Sequence, residues 1–251
     1  MSAPDMRDPT VWVTVPTYEE VENIELLVRR VRAAVPNAHI LVVDDNSRDG
    51  TAEKAESLGA ELGGIEVLRR PRKMGLGSAY RAGHAIGIAR GFDVMMQIDA
   101  DLSHDPSDLP RLLAAIERGA DLAIGSRYTP GGSVPNWPRH RLAVSVAGNR
   151  YTAFCLGIHV RDATAGYRAY RGTILDAIDF DSTHSTGYGF QIEMTHRVLI
   201  AGGKIEEVPI AFTDRVRGNS KMSWRIVVEA MALVTWWGVR DRVLRRNRFQ
   251  R

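Results

Sequence analysis

The sequence predicts an α/β protein with a mostly parallel sheet flanked by helices. Short β-branched runs alternate along the first half of the chain with segments whose apolar residues recur at helical spacing. Four of the β-branched runs end in charged or turn residues. Strands that alternate with helices in this way form right-handed βαβ units, and such units build a parallel sheet.

Each element of the first half follows from a local pattern. Residues 10–16 (TVWVTVP) are β-branched and stop at a proline, which is typical of a strand. The next segment ends at Pro36 and has the spacing of a helix, with apolar residues at Val21, Ile24, Leu27, Val28, Val31 and Val35. The sequence then predicts, in chain order, a strand at 39–45, a helix at 52–62, a strand at 65–70, a helix after 75, a strand at 93–99, a helix at 107–118 and a strand at 120–128.

The pattern becomes less regular after Pro130. Residues 129–141 (TPGGSVPNWPRHR) predict a loop, and a helix follows at 142–156. We expect residues 160–172 (VRDATAGYRAYRG) to be irregular. A further helix begins within 181–194, a strand lies at 203–212, and a loop follows at 213–224. We find no internal repeat or low-complexity linker, and we therefore assign residues 1–222 to one globular domain and 223–251 to a C-terminal extension.

Composition is that of a soluble globular protein. The chain has 251 residues, of which 44% are apolar and 25% charged, and its formal net charge is +3. The single cysteine, Cys155, excludes an internal disulfide and fits a reducing, cytoplasmic setting. We expect neither a signal peptide nor a membrane-spanning helix, which would need ~20 apolar residues in a row. Motifs of zinc, serine-hydrolase and thiol chemistry do not occur.

Two carboxylates follow the fourth predicted strand. Ligands of parallel sheets bind beyond the carboxyl ends of the strands, where Asp99 and Asp101 lie together with a second acidic pair at 44–45. Asp99 and Asp101 could be solvated turn residues, a Mg²⁺ or Mn²⁺ site completed by substrate phosphates, or an acid/base pair. Their position beside the second acidic pair favours the metal site, with Ser103 and His104 as candidate further ligands.

A cation held by two carboxylates needs a ligand with further oxygens, and a nucleotide diphosphate supplies them. The negative charge of the diphosphate calls for cationic side chains. Candidates are Arg127, Arg215 and Lys221, although each of these alone is more often a surface charge. The loop 214–221 (DRVRGNSK) combines two arginines with a lysine and a glycine. This combination favours an anion-binding loop over a set of unrelated surface charges.

The segment GLGSAY at 75–80 is not a dinucleotide-binding motif. Tyr80 stands where G-x-G-x-x-G requires its third glycine, and the segment does not follow the first strand. We expect it to begin a helix close to the edge of the sheet, where a nucleotide phosphate could lie nearby.

The C-terminal extension contains an apolar segment at 226–239, interrupted only by Glu229, which includes Trp236 and Trp237 and leads into an arginine-rich tail. It could be a core helix with a solvated basic end, an amphipathic helix at a membrane surface, or a nucleic-acid-binding segment. We favour the amphipathic helix, with its apolar face in the lipid, tryptophans at headgroup level and arginines on anionic lipid.

Seven motifs occur in order along the chain: VPTYEEVEN, VVDDNSRDGT, GLGSAY, DADLSH, GSRY, GYGFQIEM and DRVRGNSKM. Together they resemble those of the polyprenol (dolichol) phosphate mannose synthases, within the family 2 glycosyltransferases of the GT-A (Rossmann-like) fold. The resemblance spans roughly residues 10–225. GSRY and the DRV…SK loop are more specific to this branch than the acidic motifs.

The resemblance implies three groups of site residues. Nucleotide contacts are implied for Pro16, Tyr18, Glu20, Val42, Asp44, Ile98, Ala100, Arg127, Arg215 and Lys221. Metal contacts are implied for Asp99, Asp101 and Ser103; relatives often carry glutamine at position 103, so a serine there would act through a water. Arg127, Arg141 and Ser145 would contact an acceptor phosphate. The catalytic set would be Asp99, Asp101, Arg127, Arg215 and Lys221.

The resemblance further implies inverting transfer of mannose from GDP-mannose to a polyprenyl monophosphate, with Mg²⁺ or Mn²⁺ as cofactor. A phosphate oxygen is already a nucleophile, so we expect Glu193 to be structural or positioning rather than a general base. The alternatives are a polyprenyl-phosphate glucosyltransferase that uses UDP-glucose and a catalytically silent nucleotide-sugar binder that recruits a membrane partner. We expect a peripheral position on the cytoplasmic face of the membrane, with an integral membrane protein as a candidate partner and no nucleic acid.

Overall fold

The computed structural model describes residues 8–183, 185, 187–214 and 230–241. Its strands are β1 (Val11–Thr17), β2 (His39–Asp44), β3 (Ile65–Arg69), β4 (Val94–Gln97), β5 (Leu122–Ser126), β6 (Arg168–Arg171) and β7 (Ile205–Pro209). They form one sheet in the order β3-β2-β1-β4-β6-β5-β7. Only β6 runs antiparallel to its neighbours within this part of the chain, so the predicted mostly parallel sheet is confirmed.

Helices cover both faces of the sheet. They are α1 (Val21–Ala34), α2 (Thr51–Leu62), α3 (Leu76–Ala89), α4 (Leu109–Glu117), α5 (Arg139–Leu156), α6 (Gly172–Ala177), α7 (Gly187–Ile200) and a last helix at 230–241, here called the C-terminal helix. Side chains alternate along β1. Val11, Val13 and Val15 belong to a core cluster that includes residues of α1, α2 and α4, whereas Trp12 belongs to a second cluster that includes residues of α3, α6, α7 and the C-terminal helix. The protein is therefore a three-layer α/β structure.

Helix α3 lies unusually close to the sheet because it carries glycines on the buried face. A Cβ atom on Gly83 would lie 2.3 Å from Thr14 Cγ2, and one on Gly87 would lie 2.7 Å from Trp12 Cγ. Real Cβ atoms do not approach other atoms so closely, so these two positions require glycine. The backbone of α3 consequently packs directly on β1.

The prediction of an irregular segment at 160–172 was wrong at its end, where β6 lies between β4 and β5. Strand β6 (RAYR) does not look like a buried strand, because it begins with the fully buried Arg168. The guanidinium of Arg168 is satisfied by backbone carbonyls that no local pattern reveals, those of Ala163, Ala165 and Gln191. Arg168 is therefore a buried structural cation, although its segment looks polar in the sequence.

The C-terminal helix packs on the core with one face and exposes the other. Ala230, Val234 and Trp237 are buried, whereas Trp236 and Val239 are exposed. The helix also contacts α5, since a Cβ atom on its Gly238 would lie 2.4 Å from the Cys155 carbonyl oxygen. The predicted domain boundary at 222/223 and the arginine-rich tail lie outside the described residues. Within the described part of the chain, no helix is long and apolar enough to cross a membrane.

Candidate active site

The predicted site residues gather at the carboxyl edge of the parallel strands. Strand β1 lies between β2 and β4, so the strand order reverses there, and ligands of such sheets bind beyond the strand ends at this point. Thr17 of β1 pairs in register with Asp44 of β2, while Asp99 follows the end of β4 and Arg127 follows β5. These residues therefore share the carboxyl edge of the sheet.

Asp99 and Asp101 are held in different ways. Asp99 Oδ1 accepts a hydrogen bond of 2.6 Å from the Tyr80 hydroxyl of α3. Asp101 is buried, and its Oδ1 accepts hydrogen bonds from the Ser103 backbone N–H at 3.1 Å and from the Ser103 hydroxyl. Burial, followed by the charge of Asp99, raises the pKa of Tyr80 well above its usual value, so its hydroxyl stays a donor.

This donor set fits a hard divalent cation. Carboxylate oxygens are the ligands that Mg²⁺ and Mn²⁺ prefer, and Asp99 and Asp101 provide them at one strand end. Among the residues that the structure describes, no three acidic, histidine or cysteine side chains come together. Water or a bound phosphate would supply further oxygens beside the two carboxylates.

A chain of buried polar groups lies beneath Asp99. His84 Nδ1 lies 3.4 Å from Thr14 Oγ1, and His84 Nε2 lies 3.3 Å from Gln97 Oε1. The Gln97 amide in turn donates to the Gly166 carbonyl at 2.7 Å. A Cβ atom on Gly166 would lie 3.4 Å from Asp99 Oδ2, so this chain fixes the backbone beside the carboxylate. Burial lowers the pKa of His84 to about 4, which leaves the ring neutral at pH 7.

Arg127 is bound by a buried carboxylate. Its Nε donates to Asp162 Oδ2 at 2.7 Å and its Nη2 to Asp162 Oδ1 at 2.6 Å, and Nη2 also contacts Thr164 Oγ1. The guanidinium further faces the rings of Trp137 and Phe212. Burial alone would raise the pKa of Asp162, but the charge and hydrogen bonds of Arg127 outweigh it and hold this pKa below its usual range.

A cavity of about 660 Å³ opens beside the acidic pair. It is lined by predicted site residues, namely Asp99, Asp101, Ser103, His104, Arg127, Arg141 and Ser145. It is also lined by residues that the sequence did not single out, among them Trp137, Asn149, Thr152, Thr164, Phe212 and Asp214. Farther from the acidic pair, Val144 of α5 and Ala230 and Met231 of the C-terminal helix also line it. The cavity thus joins cationic and acidic groups to apolar helix surface.

Arg141 and Ser145, both on α5, add a guanidinium and a hydroxyl to the cavity lining. Arg141 Nη1 lies 2.8 Å from Asp214 Oδ1, and the guanidinium lies 4.0 Å from the centroid of the Trp137 ring. The Ser145 hydroxyl accepts a 2.6 Å hydrogen bond from the Tyr128 hydroxyl. Both side chains are therefore oriented at the cavity wall.

Apart from Arg127, the predicted nucleotide contacts that the structure describes do not line this cavity. Tyr18, after β1, is covered by the Lys73 ammonium at 3.8 Å from the ring centroid, and Pro16 and Glu20 are partly exposed beside it. Asp44 is buried and accepts hydrogen bonds from Thr17 and Ser47. Three of the predicted contacts are buried in the hydrophobic core, namely Val42, Ile98 and Ala100. Arg215 and Lys221 lie outside the described residues, and the nucleotide contacts stay predictions.

The loop before α3 is fixed by a buried ion pair that the sequence did not indicate. Asp45 Oδ2 accepts hydrogen bonds from the backbone N–H groups of Met74 and Gly75, at 3.0 and 3.1 Å. The other oxygen of Asp45 pairs with Arg70, which also donates to Ser78. The second acidic pair thus shapes the loop that covers Tyr18.

His104 lines the cavity, so its role as a candidate further ligand stays a prediction, whereas Glu193 has structural surroundings. The His104 ring packs against Tyr167 and Phe212, and burial lowers its pKa to about 4. Glu193 accepts hydrogen bonds from Arg197 at 2.7 and 3.0 Å and does not line the cavity. This placement agrees with the expectation that Glu193 is structural or positioning.

Asp162 and Trp137 are the main residues that the sequence analysis missed. Both lie in segments without periodicity, RDAT at 161–164 and PNWP at 135–138. The sequence indicates them only as a carboxylate and a large aromatic ring in loops near the carboxyl edge of the sheet. Arg127 lies at the same edge.

Known proteins resemble this chain over most of its length. The sequence profile of the family described as "Glycosyl transferase family 2" matches residues 12–179. Polyprenol monophosphomannose synthase of Mycolicibacterium smegmatis is 51% identical over 232 residues, which cover 92% of this chain and 88% of the relative. Undecaprenyl-phosphate mannosyltransferase of Micrococcus luteus is also 51% identical over 232 residues, covering 92% of this chain and 95% of the relative.

A more distant relative and a solved structure extend these matches. Dolichol-phosphate mannosyltransferase of Pyrococcus furiosus is 36% identical over 250 residues, covering 94% of this chain and 66% of the relative. The crystal structure of glucosyl-3-phosphoglycerate synthase from Mycobacterium tuberculosis with Mn²⁺, uridine diphosphate and glucosyl-3-phosphoglycerate has a TM-score of 0.63 and 20% identity. The match covers 90% of this chain and 77% of that one, and it supports the fold.

Proposed function

Because the chain belongs to family 2 of the glycosyltransferases, we propose that it transfers mannose from GDP-mannose to the phosphate of a polyprenyl monophosphate. Relatives at 51% identity are named as mannose synthases or mannosyltransferases of polyprenyl phosphates. One structural observation carries the proposal for this chain. A single cavity joins an acidic pair, two arginines and apolar helix surface, and such a cavity suits a phosphate with a long hydrocarbon tail.

Asp99 and Asp101 would hold a divalent cation at the diphosphate of the donor. A bound Mg²⁺ or Mn²⁺ supplies positive charge that stabilises the leaving GDP. Ser103 keeps the Asp101 carboxylate in one orientation through its two hydrogen bonds. The predicted cations Arg215 and Lys221 would add charge on the same side.

Arg127 and Arg141 would bind the phosphate of the acceptor. A phosphate monoester carries about −1.5 to −2 charges at pH 7, so its oxygen is a nucleophile without a general base. The two guanidinium groups orient the acceptor phosphate and offset its repulsion by the donor diphosphate. When a phosphate oxygen bonds to the anomeric carbon, the bond from that carbon to GDP breaks on the opposite side. The anomeric carbon is inverted, and the product is a polyprenyl β-mannosyl phosphate.

The C-terminal helix and α5 would contact the membrane surface. Their exposed apolar side chains are Val144, Phe154, Met231, Trp236 and Val239, and two of these, Val144 and Met231, also line the cavity. An apolar surface that continues into the acceptor cavity would let the polyprenyl chain stay in the lipid while its phosphate enters the site. The single cysteine agrees with a position on the cytoplasmic face, with or without an integral membrane partner.

A transfer assay tests the proposed function. Purified protein is given labelled GDP-mannose or labelled UDP-glucose, a polyprenyl phosphate and Mg²⁺, and label that enters the organic phase is counted. Transfer from GDP-mannose alone is the expected result. Transfer from UDP-glucose alone would keep the site chemistry and overturn the sugar, and donor binding without any transfer would favour the silent-binder alternative.

A further inference from the structure

We infer that Tyr80 positions the carboxylate of Asp99 for cation binding, an inference that rests on the divalent-cation site of the proposed function. Tyr80 is the last residue of the GLGSAY segment, which takes no part in the transfer described above. Its hydroxyl donates a 2.6 Å hydrogen bond to Asp99 Oδ1. Tyr80 does not line the cavity and would act through Asp99, so it is a positioning residue.

Tyr80 reaches Asp99 because of how α3 packs. Tyr80, Gly83 and Gly87 lie on the same face of the helix, three and four residues apart. The two glycines let the helix backbone pack against Thr14 and Trp12 of β1, where a side chain would collide. Strand β1 pairs with β4, and Asp99 follows the end of β4. The close packing of α3 on β1 therefore brings the tyrosine hydroxyl to the carboxylate.

The tyrosine ring is fixed by its surroundings. Tyr80 has no exposed surface, and its ring lies stacked between His84 at 6.0 Å and Phe190 at 6.3 Å. Gly77, one turn earlier on α3, allows this packing, because a Cβ atom there would lie 3.0 Å from Phe190. A buried donor that is packed in this way favours one rotamer of its acceptor.

The two carboxylates of the acidic pair are thus oriented by different parts of the fold. Asp101 is oriented by Ser103 within its own turn, whereas Asp99 is oriented by a tyrosine from a separate helix. Hydrogen bonds to metal-binding carboxylates commonly change metal affinity by about 10- to 100-fold. Loss of the Tyr80 hydroxyl should therefore weaken cation binding while the fold stays intact.

Tyr80→Phe tests the inference, with Tyr170→Phe as its matched control. Tyr170 is equally buried in the same core cluster, but its hydroxyl contacts Arg168 Nη1 at 3.2 Å rather than Asp99. Mn²⁺ is titrated into each full-length protein with GDP present, and free Mn²⁺ is measured by electron paramagnetic resonance. Tyr80→Phe should bind Mn²⁺ at least about tenfold more weakly than wild type, and Tyr170→Phe should bind within about twofold. Melting temperatures of the two variants should be similar.

A second variant tests the packing that brings Tyr80 to Asp99. Gly83→Ala keeps the tyrosine but pushes α3 away from Thr14, and it should also weaken Mn²⁺ binding. In Tyr80→Phe, saturating Mn²⁺ should restore mannosyl transfer, because a positioning defect raises the Mn²⁺ requirement more than it lowers the maximal rate. Unchanged Mn²⁺ affinity in Tyr80→Phe, or an equal loss in Tyr170→Phe, would overturn the inference.

The same titration separates this inference from the proposed function. Wild-type protein that binds Mn²⁺ with GDP but transfers no mannose would contradict the proposed function but not the role of Tyr80. Wild-type protein that binds no Mn²⁺ would overturn both.

Discussion

Arg127 and Asp162 form a doubly hydrogen-bonded ion pair beneath the cavity wall, with Nε–Oδ2 and Nη2–Oδ1 distances of 2.7 and 2.6 Å. The Arg127 side chain is 8% exposed and the Asp162 side chain is fully buried. Asp162 in turn accepts the Arg127 backbone N–H at 3.0 Å. The pair therefore fixes both the backbone after β5 and the guanidinium that faces the cavity.

Asp162→Asn should destabilise the protein strongly. The substitution leaves the buried Arg127 charge without its carboxylate, and breaking a buried pair in this way costs about 3–5 kcal/mol. The free energy of unfolding measured by urea denaturation should fall accordingly. The matched control is Glu61→Gln, which breaks the similar two-bond pair of Arg29 and Glu61 on the surface. Because that pair is exposed to solvent, its loss should cost far less, and equal losses in the two variants would contradict the expected role of Asp162.

Arg141→Gln should weaken use of the acceptor without affecting the fold. A charged hydrogen bond to a phosphate is worth about 1.5–3 kcal/mol, so the KM for polyprenyl phosphate should rise about 10- to 100-fold. The KM for the nucleotide sugar and the melting temperature should stay close to wild type. Arg150→Gln, an exposed arginine of the same helix outside the cavity lining, is the control. A rise in KM that is the same for both variants would assign the effect to general charge rather than to the site.

Membrane binding should depend on Trp236. Its side chain is 64% exposed on the C-terminal helix, and transfer of a large aromatic side chain into lipid is worth about 1.5–3 kcal/mol. Trp236→Ala should therefore reduce sedimentation with vesicles of anionic lipid by about tenfold or more. Leu26→Ala removes a 44% exposed apolar side chain from α1, on the opposite face of the sheet, and should leave vesicle binding unchanged. Equal binding by Trp236→Ala and wild type would rule out this surface.

His84 should make stability depend on pH between about 4 and 6.5. The pKa of His84 is about 4 in the folded protein and near 6.5 in an unfolded chain, so within this window protons bind preferentially to the unfolded state. Stability is therefore complete above pH 6.5 and falls as the pH decreases, by up to about 1.4 kcal/mol per pH unit from this residue. His84→Gln should show a shallower dependence in urea titrations over the same range. Identical slopes would contradict the burial-driven shift.

Local periodicity was enough to predict the parallel framework. The apolar spacing of α1 places Ile24, Leu27 and Val31 in the core as expected, and the acidic pair at 99 and 101 follows a buried strand at the carboxyl edge. Both follow from patterns within one segment, because a helix face or a strand end is read from neighbouring residues.

Contacts between distant segments could not be predicted in this way. The buried arginine of strand β6 donates to the Gln191 carbonyl of helix α7, 23 residues away, and Arg127 depends on an aspartate 35 residues away. The hydrogen bond from Tyr80 to Asp99 likewise depends on how closely α3 packs on β1. Such contacts are set by three-dimensional packing, and no period in the sequence encodes them.

Mannosyl transfer should require a divalent cation bound at the acidic pair. The transfer assay with labelled GDP-mannose, run with Mn²⁺ or with EDTA, compares wild type, Asp101→Asn and Asp105→Asn. Asp105 is a nearby exposed carboxylate that accepts the Ser107 N–H and does not line the cavity. We expect transfer by wild type and Asp105→Asn only when the cation is present, and a loss of at least about 100-fold in Asp101→Asn. Transfer that continues in EDTA, or that is equal in the two variants, would contradict the claim.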